Sequence, residues 1–271
     1  MKLSICVVNY HSEKELRRFL ESLTDYPPRC LFEVVLVHNG GQEEELRSLE
    51  KKFGGMMYII HSRDNQGFGA AQNKAVQKAK GEYVFICNPD LEVDEDSFQS
   101  LLSFAEELPE FGVIGPQLVH EGGVIQESCR RFPRFIDLVV KRVEFLPGFK
   151  KRARHYLMRD RDLSVPTQVD WLVGAAMLMK RERFLELGGF DPRFFLFFED
   201  TDLCRRVHVA GHDVWYYPDS IFLHAHERLS QKGWWPFSKT FWIHFRSALQ
   251  YFWKWRGSGG GGAGFWGSFL V

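Results

Sequence analysis

Four short apolar runs, residues 3–8, 34–37, 57–60 and 83–87, are spaced along the first third of the chain, with helical patterns between several of them. Leu16, Phe19, Leu20 and Leu23 recur at helical spacing after the first run, and Ala71, Ala75, Val76 and Ala79 do so after the third. Strands alternating with helices form βαβ units, so the expected fold is α/β, a mostly parallel central sheet flanked by helices. The fourth run ends in Asn88, Pro89 and Asp90. Pro89 has no N–H to give a neighbouring strand, so the chain must leave the sheet there. In open α/β sheets ligands collect at the carboxyl ends of strands, which makes Asp90 a candidate site residue. The same three residues are turn formers, and a plain turn accounts for them equally.

Composition narrows the partners. Lys+Arg and Asp+Glu balance at 35 each, so no overall field attracts a nucleic acid. Five cysteines without a CxxC pair form neither a disulfide framework nor a structural zinc site, and a reducing cytosol is the expected compartment. The first ten residues lead into a charged helix pattern rather than a secretion signal. No apolar stretch reaches the length of about 18 residues that a spanning helix needs, so membrane contact is expected to be peripheral.

Residues 93–108 read as a helix capped by Asp94, with Phe98, Leu101, Leu102 and Ala105 on one face. The segment 129–162 carries eleven Lys or Arg against four Asp or Glu, interleaved with apolar residues. It reads either as a basic amphipathic insertion on an anionic membrane or as a solvated insertion with core anchors. Residues 171–179 read as a strand, 181–187 as a helix stopped by Gly188 and Gly189, and 212–217 as another strand. Trp234, Trp235, Trp242, Trp253 and Trp255, among Phe, Lys and Arg, mark residues 231–256 as a helical extension. It would lie at a bilayer interface or pack on the domain. Residues 257–271 read as a flexible Gly-rich tail.

Two stretches carry candidate chemistry. In NQGFGAAQNKAV, Gly67 and Gly69 precede a helix whose N-terminal amides can approach a phosphate. As a dinucleotide fingerprint it fails, because Gln72 stands where the third glycine belongs and the loop follows the third strand. In FFEDTDLCRRVHVAG, Leu203, Val207 and Ala210 place a helix over residues 200–210, closed by Gly211, with Glu199 and Asp200 at its N-terminus. The dipole stabilises negative charge there, and Phe194, Phe195, Phe197 and Phe198 are expected to pack away and hold the acids in a partly dry pocket. A carboxylate so held suits a general base, although capping alone also uses such residues. His224 and His226 follow the last strand and a loop as metal or phosphate partners.

SICVVNYHSEKELRRFLESL, NQGFGAAQNKAV, ICNPDLEV and the long stretch from VDWLVGAAML to LHAHERLS together resemble the inverting family 2 glycosyltransferases, in their rhamnosyltransferase-like branch. The resemblance covers residues 3–230 and implies a GT-A fold over residues 1–230, with a nucleotide-binding half (1–120) and an acceptor half (121–230). It implies a dTDP- or UDP-sugar donor and single-displacement transfer of L-rhamnose or another hexose. The acceptor would be a glycan or lipid-linked glycan at the cytoplasmic membrane face. By the same resemblance, Asp90 would hold Mg²⁺ or Mn²⁺ on the donor diphosphate, with Asn88 in place of a first acid and His224, or less directly His226, on the metal side. Asp200 would be the base, Glu199 would orient it or the acceptor sugar, and Trp171 would lie near the sugar cleft, where its ring can stack on a pyranose; a plain core aromatic is the alternative. Val8, Asn9, Tyr10 and Asn39 match the nucleoside pocket, and Phe68, Asn73 and the backbone of Gly67 and Gly69 would lie over the ribose and diphosphate. One departure concerns the base. The family usually shows VVDNGS where this chain has LVHNGG, so His38 replaces an acid and can accept from a pyrimidine N–H only through an unprotonated ring nitrogen. Two other classes stay open: a nucleotide-dependent oxidoreductase using the glycine loop, and a nucleotide-sugar-binding module without activity.

Overall fold

A computed structural model describes residues 1–140, 143–225 and 238–256. In chain order its elements are β1 (Leu3–Asn9), α1 (Glu13–Asp25), β2 (Phe32–His38), α2 (Glu43–Phe53), β3 (Met57–His61), α3 (Phe68–Lys78), β4 (Tyr83–Cys87), β5 (Leu91–Glu92) and α4 (Ser97–Glu107). Then follow β6 (Val113–Val119), β7 (Cys129–Arg130), α5 (Asp137–Val140), α6 (Phe149–Tyr156), β8 (Thr167–Gln168), β9 (Trp171–Leu172) and β10 (Ala176–Lys180). The last are α7 (Arg181–Glu186), α8 (Glu199–Val209), β11 (Val214–His224) and α9 (Lys239–Lys254).

Nine strands form one sheet in the order β3-β2-β1-β4-β10-β6-β11-β5, with β8 also on β11. The run β3-β2-β1-β4 is parallel throughout, β6 and β11 are parallel to each other, and β10 joins the two halves antiparallel to both neighbours. The strand order reverses between β1 and β4, and a crevice opens at such a point beyond the carboxyl ends. Side chains alternate between two buried layers. Cys6, Val8, Val35, Val37, Val84 and Ile86 face α3 and α8, whereas Ile5, Val7, Val34, Leu36, Phe85 and Cys87 face α1, α2 and α4. Burial on both faces explains why the runs are continuous rather than alternating with polar residues.

Several boundaries differ from expectation for local reasons. The helix expected from residue 93 begins at Ser97, because 91–92 pair with β11 and Asp94 turns back to accept from the Ser97 N–H and hydroxyl. The strand expected over 171–179 is two pieces: β9 pairs with β7 in a separate two-stranded sheet, and β10 enters the main one. The strand expected to end at Tyr217 continues through an irregularity between Tyr217 and Ile221, where Pro218 withholds an N–H, and runs to His224. His224 is therefore a strand residue rather than a loop residue.

The basic segment and the C-terminal helix meet each other. Val140, Ala153, Tyr156, Leu157 and Met158 enter the main core, and Leu138 packs with Phe194, Phe198, Ala248 and Tyr251. The Phe135 and Phe252 rings lie 5.6 Å apart. Many of the segment's cations are spent on acids: Arg152 grips Asp137 through two hydrogen bonds, Arg159 reaches Glu127 and Glu144, and Arg131 reaches Asp160. Among the described residues no helix is long and apolar enough to cross a membrane. His226, Trp234, Trp235 and the tail 257–271 lie outside the described residues.

Candidate active site

The antiparallel pairing of β5 with β11 sets Leu91 opposite His224, and Ala225 N–H donates to the Asp90 carbonyl at 3.1 Å. This backbone register brings Asp90 Oδ1 to 3.3 Å from His224 Nε2. Gln126 fixes which ring nitrogen faces the acid. Its Oε1 accepts from His224 Nδ1 at 2.8 Å, and its Nε2 donates to the His224 carbonyl at 3.0 Å and meets His120 Nδ1 at 2.9 Å. An amide oxygen only accepts, so Nδ1 carries the proton, and in the neutral ring Nε2 presents its lone pair toward Asp90. Asp90 Oδ1 and His224 Nε2 are both sealed from solvent and neither makes a hydrogen bond. A carboxylate oxygen and an imidazole nitrogen that face each other without a hydrogen bond form a donor set for a divalent metal. Among the described residues no third His, Cys, Asp or Glu joins the pair.

The acid pair forms the first two residues of α8, which starts one residue earlier than expected. Phe197 and Phe198 precede it with φ of 69° and 68°, a left-handed conformation that bulky residues rarely adopt. Ser247 of α9 holds this turn by donating to the Leu196 carbonyl at 2.9 Å, and the Phe198 ring packs on Tyr251. The aromatic run is only partly packed away, since Phe195 remains 40% exposed. Asp200 is half-buried and accepts from Gly174 N–H at 2.9 Å, Thr201 N–H at 2.6 Å and the Thr201 hydroxyl at 3.2 Å. Burial pushes its carboxyl up, opposed by these hydrogen bonds and by the charge of Arg130. Glu199 is buried with Oε2 unpartnered, and burial together with the Asp200 charge pushes it well above the carboxylate range. Both carboxyls are thus pushed up, Asp200 against the opposition of its hydrogen bonds and of Arg130.

Gly174 leads into β10, whose Ala176 lies opposite Cys87 at the end of β4, so Asp200 stands at the same sheet edge as Asp90. The glycine loop is there too, but its amides do other work. Gly67 N–H donates to Asn65 Oδ1 at 2.9 Å, so it is not left for the diphosphate it was expected to face, and Phe68 N–H donates to the Phe195 carbonyl at 3.0 Å. A Cβ at Gly67 would lie 2.1 Å from the Phe195 oxygen, and one at Gly69 would lie 2.9 Å from Phe190 Cβ. Close approach of the loop before α8 requires these glycines. Asn73, expected over the ribose, instead brackets the Phe190 backbone, donating to its carbonyl and accepting from its N–H at 2.7 and 2.8 Å.

Of the expected nucleoside pocket, Tyr10 is 49% exposed, whereas Val8, Asn9, His38 and Asn39 are buried beneath it. Asn9 Nδ2 lies 3.3 Å from His38 Nδ1, and His38 Nε2 lies 3.4 Å from Glu43. The nitrogen that would accept from a base already faces a donor. Asn39 ties down the loop at 65–67 through Asn65 Oδ1, the Gly67 carbonyl and Gln66 N–H. Asn88 is half-buried beyond β4, its N–H on the Ala175 carbonyl.

The family described as glycosyl transferase family 2 matches residues 4–188. The chain belongs to this family. An N-acetylglucosaminyl-diphospho-decaprenol L-rhamnosyltransferase of Mycobacterium tuberculosis is 28% identical over 235 residues, 82% of this chain and 75% of that one. Rhamnosyltransferase WbbL of Escherichia coli is 26% identical over 255 residues, 91% of each. The family 2 chain is thus rhamnosyltransferase-like. Among solved structures, that of GalNAc-T7 with UDP, GalNAc and Mn²⁺ superposes with a TM-score of 0.65 at 20% identity, over 84% of this chain and 44% of that one. The fold is GT-A.

In this glycosyltransferase Trp171 is a correction. It is 6% exposed, its Nε1 donates to the Arg131 carbonyl at 2.9 Å, and the Arg130 guanidinium lies over its ring at 5.2 Å, so no free face remains for a pyranose. Sequence reasoning missed Gln126 and Arg130. Gln126 follows a glycine turn and carries no local signal. Arg130 was counted only as one charge of a basic segment.

Proposed function

We propose that the protein transfers a hexose or deoxyhexose, L-rhamnose foremost, with inversion from a dTDP- or UDP-sugar to a glycan or lipid-linked glycan in polysaccharide synthesis. The observation that carries this reading is the pair of sealed atoms without hydrogen bonds, Asp90 Oδ1 and His224 Nε2, facing each other near Asp200 in a family 2 chain. Asp90 and His224 would hold Mg²⁺ or Mn²⁺, with diphosphate oxygens completing the shell. Bound there, the cation supplies a Lewis acid that offsets the charge developing on the departing nucleoside diphosphate. Asp200 accepts the proton of the attacking acceptor hydroxyl, Glu199 orients it or the acceptor sugar, and Tyr10 offers the exposed surface for the nucleobase.

A thermal-shift panel of UDP, dTDP, GDP and NAD, each with Mn²⁺ and with EDTA, tests the reading. One nucleoside diphosphate with Mn²⁺ at a hundred times its Kd should add about 2.7 kcal/mol of stability. Asp90→Ala should abolish the metal-dependent part, and Gln126→Leu, which frees the His224 ring, should raise the Mn²⁺ needed by about 10–100-fold. Stabilisation by NAD alone would favour an oxidoreductase, and a metal-independent response would remove Asp90 and His224 from the site.

Peripheral contact with a cytoplasmic membrane face rests on α9. Trp242, Leu249 and Trp253 are 58%, 41% and 69% exposed. With exposed Arg246 and Arg256 they form one outward stripe, at spacings of three and four residues. Aromatic and basic residues on one helix face suit an anionic bilayer interface. The chain should sediment with anionic vesicles at low salt, and Trp242→Ser with Trp253→Ser should abolish this; wild-type protein left in the supernatant would sink the idea.

A further inference from the structure

Arg130 differs from its neighbours in the basic segment. Arg131, Arg152 and Arg159 each hold a carboxylate, and Arg134, Arg154 and Arg161 project into solvent. Arg130 does neither. It is half-buried, and among the described residues no carboxylate pairs with it. Its Nε is sealed from water with no acceptor. The guanidinium lies over two aromatic faces, 5.2 Å from the Trp171 centroid and 5.7 Å from that of Tyr156. Both rings are buried and fixed, Trp171 by its indole hydrogen bond and by its position opposite Arg130 in the β7–β9 ladder.

The location is informative. β9 leads within two residues to Gly174, whose N–H holds Asp200, and the Asp200 carboxyl feels the Arg130 charge. A sealed N–H without an acceptor is costly, and the Arg130 Nε is one; a ligand oxygen at the guanidinium would offset that cost. Stacking on two rings pre-orients the planar fork, and a phosphate matches that fork with two parallel hydrogen bonds.

We propose that Arg130 is a phosphate-binding residue of the cleft, its stacked guanidinium, in no salt bridge with a carboxylate among the described residues, taking a phosphate group of a bound substrate beside Asp200. The phosphate has two possible sources, the diphosphate of the donor or a phosphate carried by the acceptor. The inference rests on the transferase reading for the identity of these substrates, but not for the binding of phosphate itself.

The test compares wild type with Arg130→Met, which keeps bulk over the rings without charge, and Arg130→Lys, which keeps charge without the fork. Folding of each is checked by circular dichroism, and Arg130→Lys keeps the test open should Arg130→Met not fold. Binding is measured calorimetrically with three probes: inorganic pyrophosphate in EDTA, UDP or dTDP with Mn²⁺, and a short-chain N-acetylglucosaminyl diphospho-prenol beside its phosphate-free glycoside. Loss of the charge-assisted pair should weaken phosphate binding by about 10–100-fold in Arg130→Met, with Arg130→Lys between the two. A deficit confined to the nucleotide identifies the donor as the source. One confined to the diphospho-prenol, with the glycoside unaffected, identifies the acceptor. Pyrophosphate separates this inference from the broader one: if no nucleotide binds wild type yet pyrophosphate discriminates the variants, Arg130 stands and the transferase reading falls. Folded variants that bind every probe as wild type does would make Arg130 a packing residue and overturn the proposal.

Discussion

Replacing Asp200 by Asn is expected to slow sugar transfer by about 10²–10⁴, the usual contribution of a positioned base. The variant keeps the size of the side chain but cannot take a proton from the acceptor hydroxyl. It also carries a structural cost. Gly174 N–H donates to one oxygen of Asp200 and Thr201 to the other, so the new NH₂ must face a donor. A loss of about 1–3 kcal/mol of stability is therefore expected, and urea unfolding would separate it from the kinetic effect. Release of nucleoside diphosphate in the presence of acceptor reports the rate, and a folded variant within a few-fold of wild type would remove Asp200 as the base. The wild-type pH profile gives an independent check. Only the carboxylate form accepts a proton, and burial raises the Asp200 pKa. Activity should thus climb with pH along an acidic limb lying above the ordinary aspartate value of about 3.9, and a limb at or below that value would contradict the assignment.

Asp202→Ala is expected to cost about 3–5 kcal/mol of folding stability, the range for breaking a buried charge cluster from one side. The Asp202 side chain is fully buried, with Lys254 Nζ at 2.7 Å, Arg206 Nε at 2.9 Å and Trp255 Nε1 at 2.9 Å. Removing it leaves Arg206 without a carboxylate and the indole N–H without an acceptor, while Lys254 keeps Asp191 at 2.8 Å. The cluster joins α9 to α8, so the same change should loosen the Ser247 contact that holds the left-handed turn before Glu199. Equilibrium unfolding in urea measures the loss. A change below about 1 kcal/mol would mean that α9 is held by its apolar contacts with Phe194 and Phe198 rather than by charge.

The alternation of strand and helix was legible in the sequence because burial on both sheet faces writes continuous apolar runs and helical packing writes a period of 3.6 residues. Leu16 to Leu23 and Phe98 to Ala105 fall on the core as read. Strands that end on tertiary pairing rather than on composition were not legible. The strand read over 212–217 passes Pro218 through a register shift, and that continuation carries His224 to Asp90.

The candidate site divides along the same line. Composition and spacing placed Asp90 at a strand end and Glu199 with Asp200 at a helix start, since each lies at the boundary of an element whose periodicity is local. The glycines, Asn73 and Trp171 look the same in sequence whether they serve a ligand or the fold. The Phe195 carbonyl, the Phe190 backbone and the Arg130 guanidinium, all from distant segments, engage them in the structure. His38 is buried against Asn9 for the same reason. The sequence by itself determined the α/β class and the family. The tertiary structure alone decided which polar groups are already satisfied and which, like Asp90 Oδ1, His224 Nε2 and Arg130, are left wanting a partner. Satisfaction of a buried polar group depends on neighbours that only chain packing supplies.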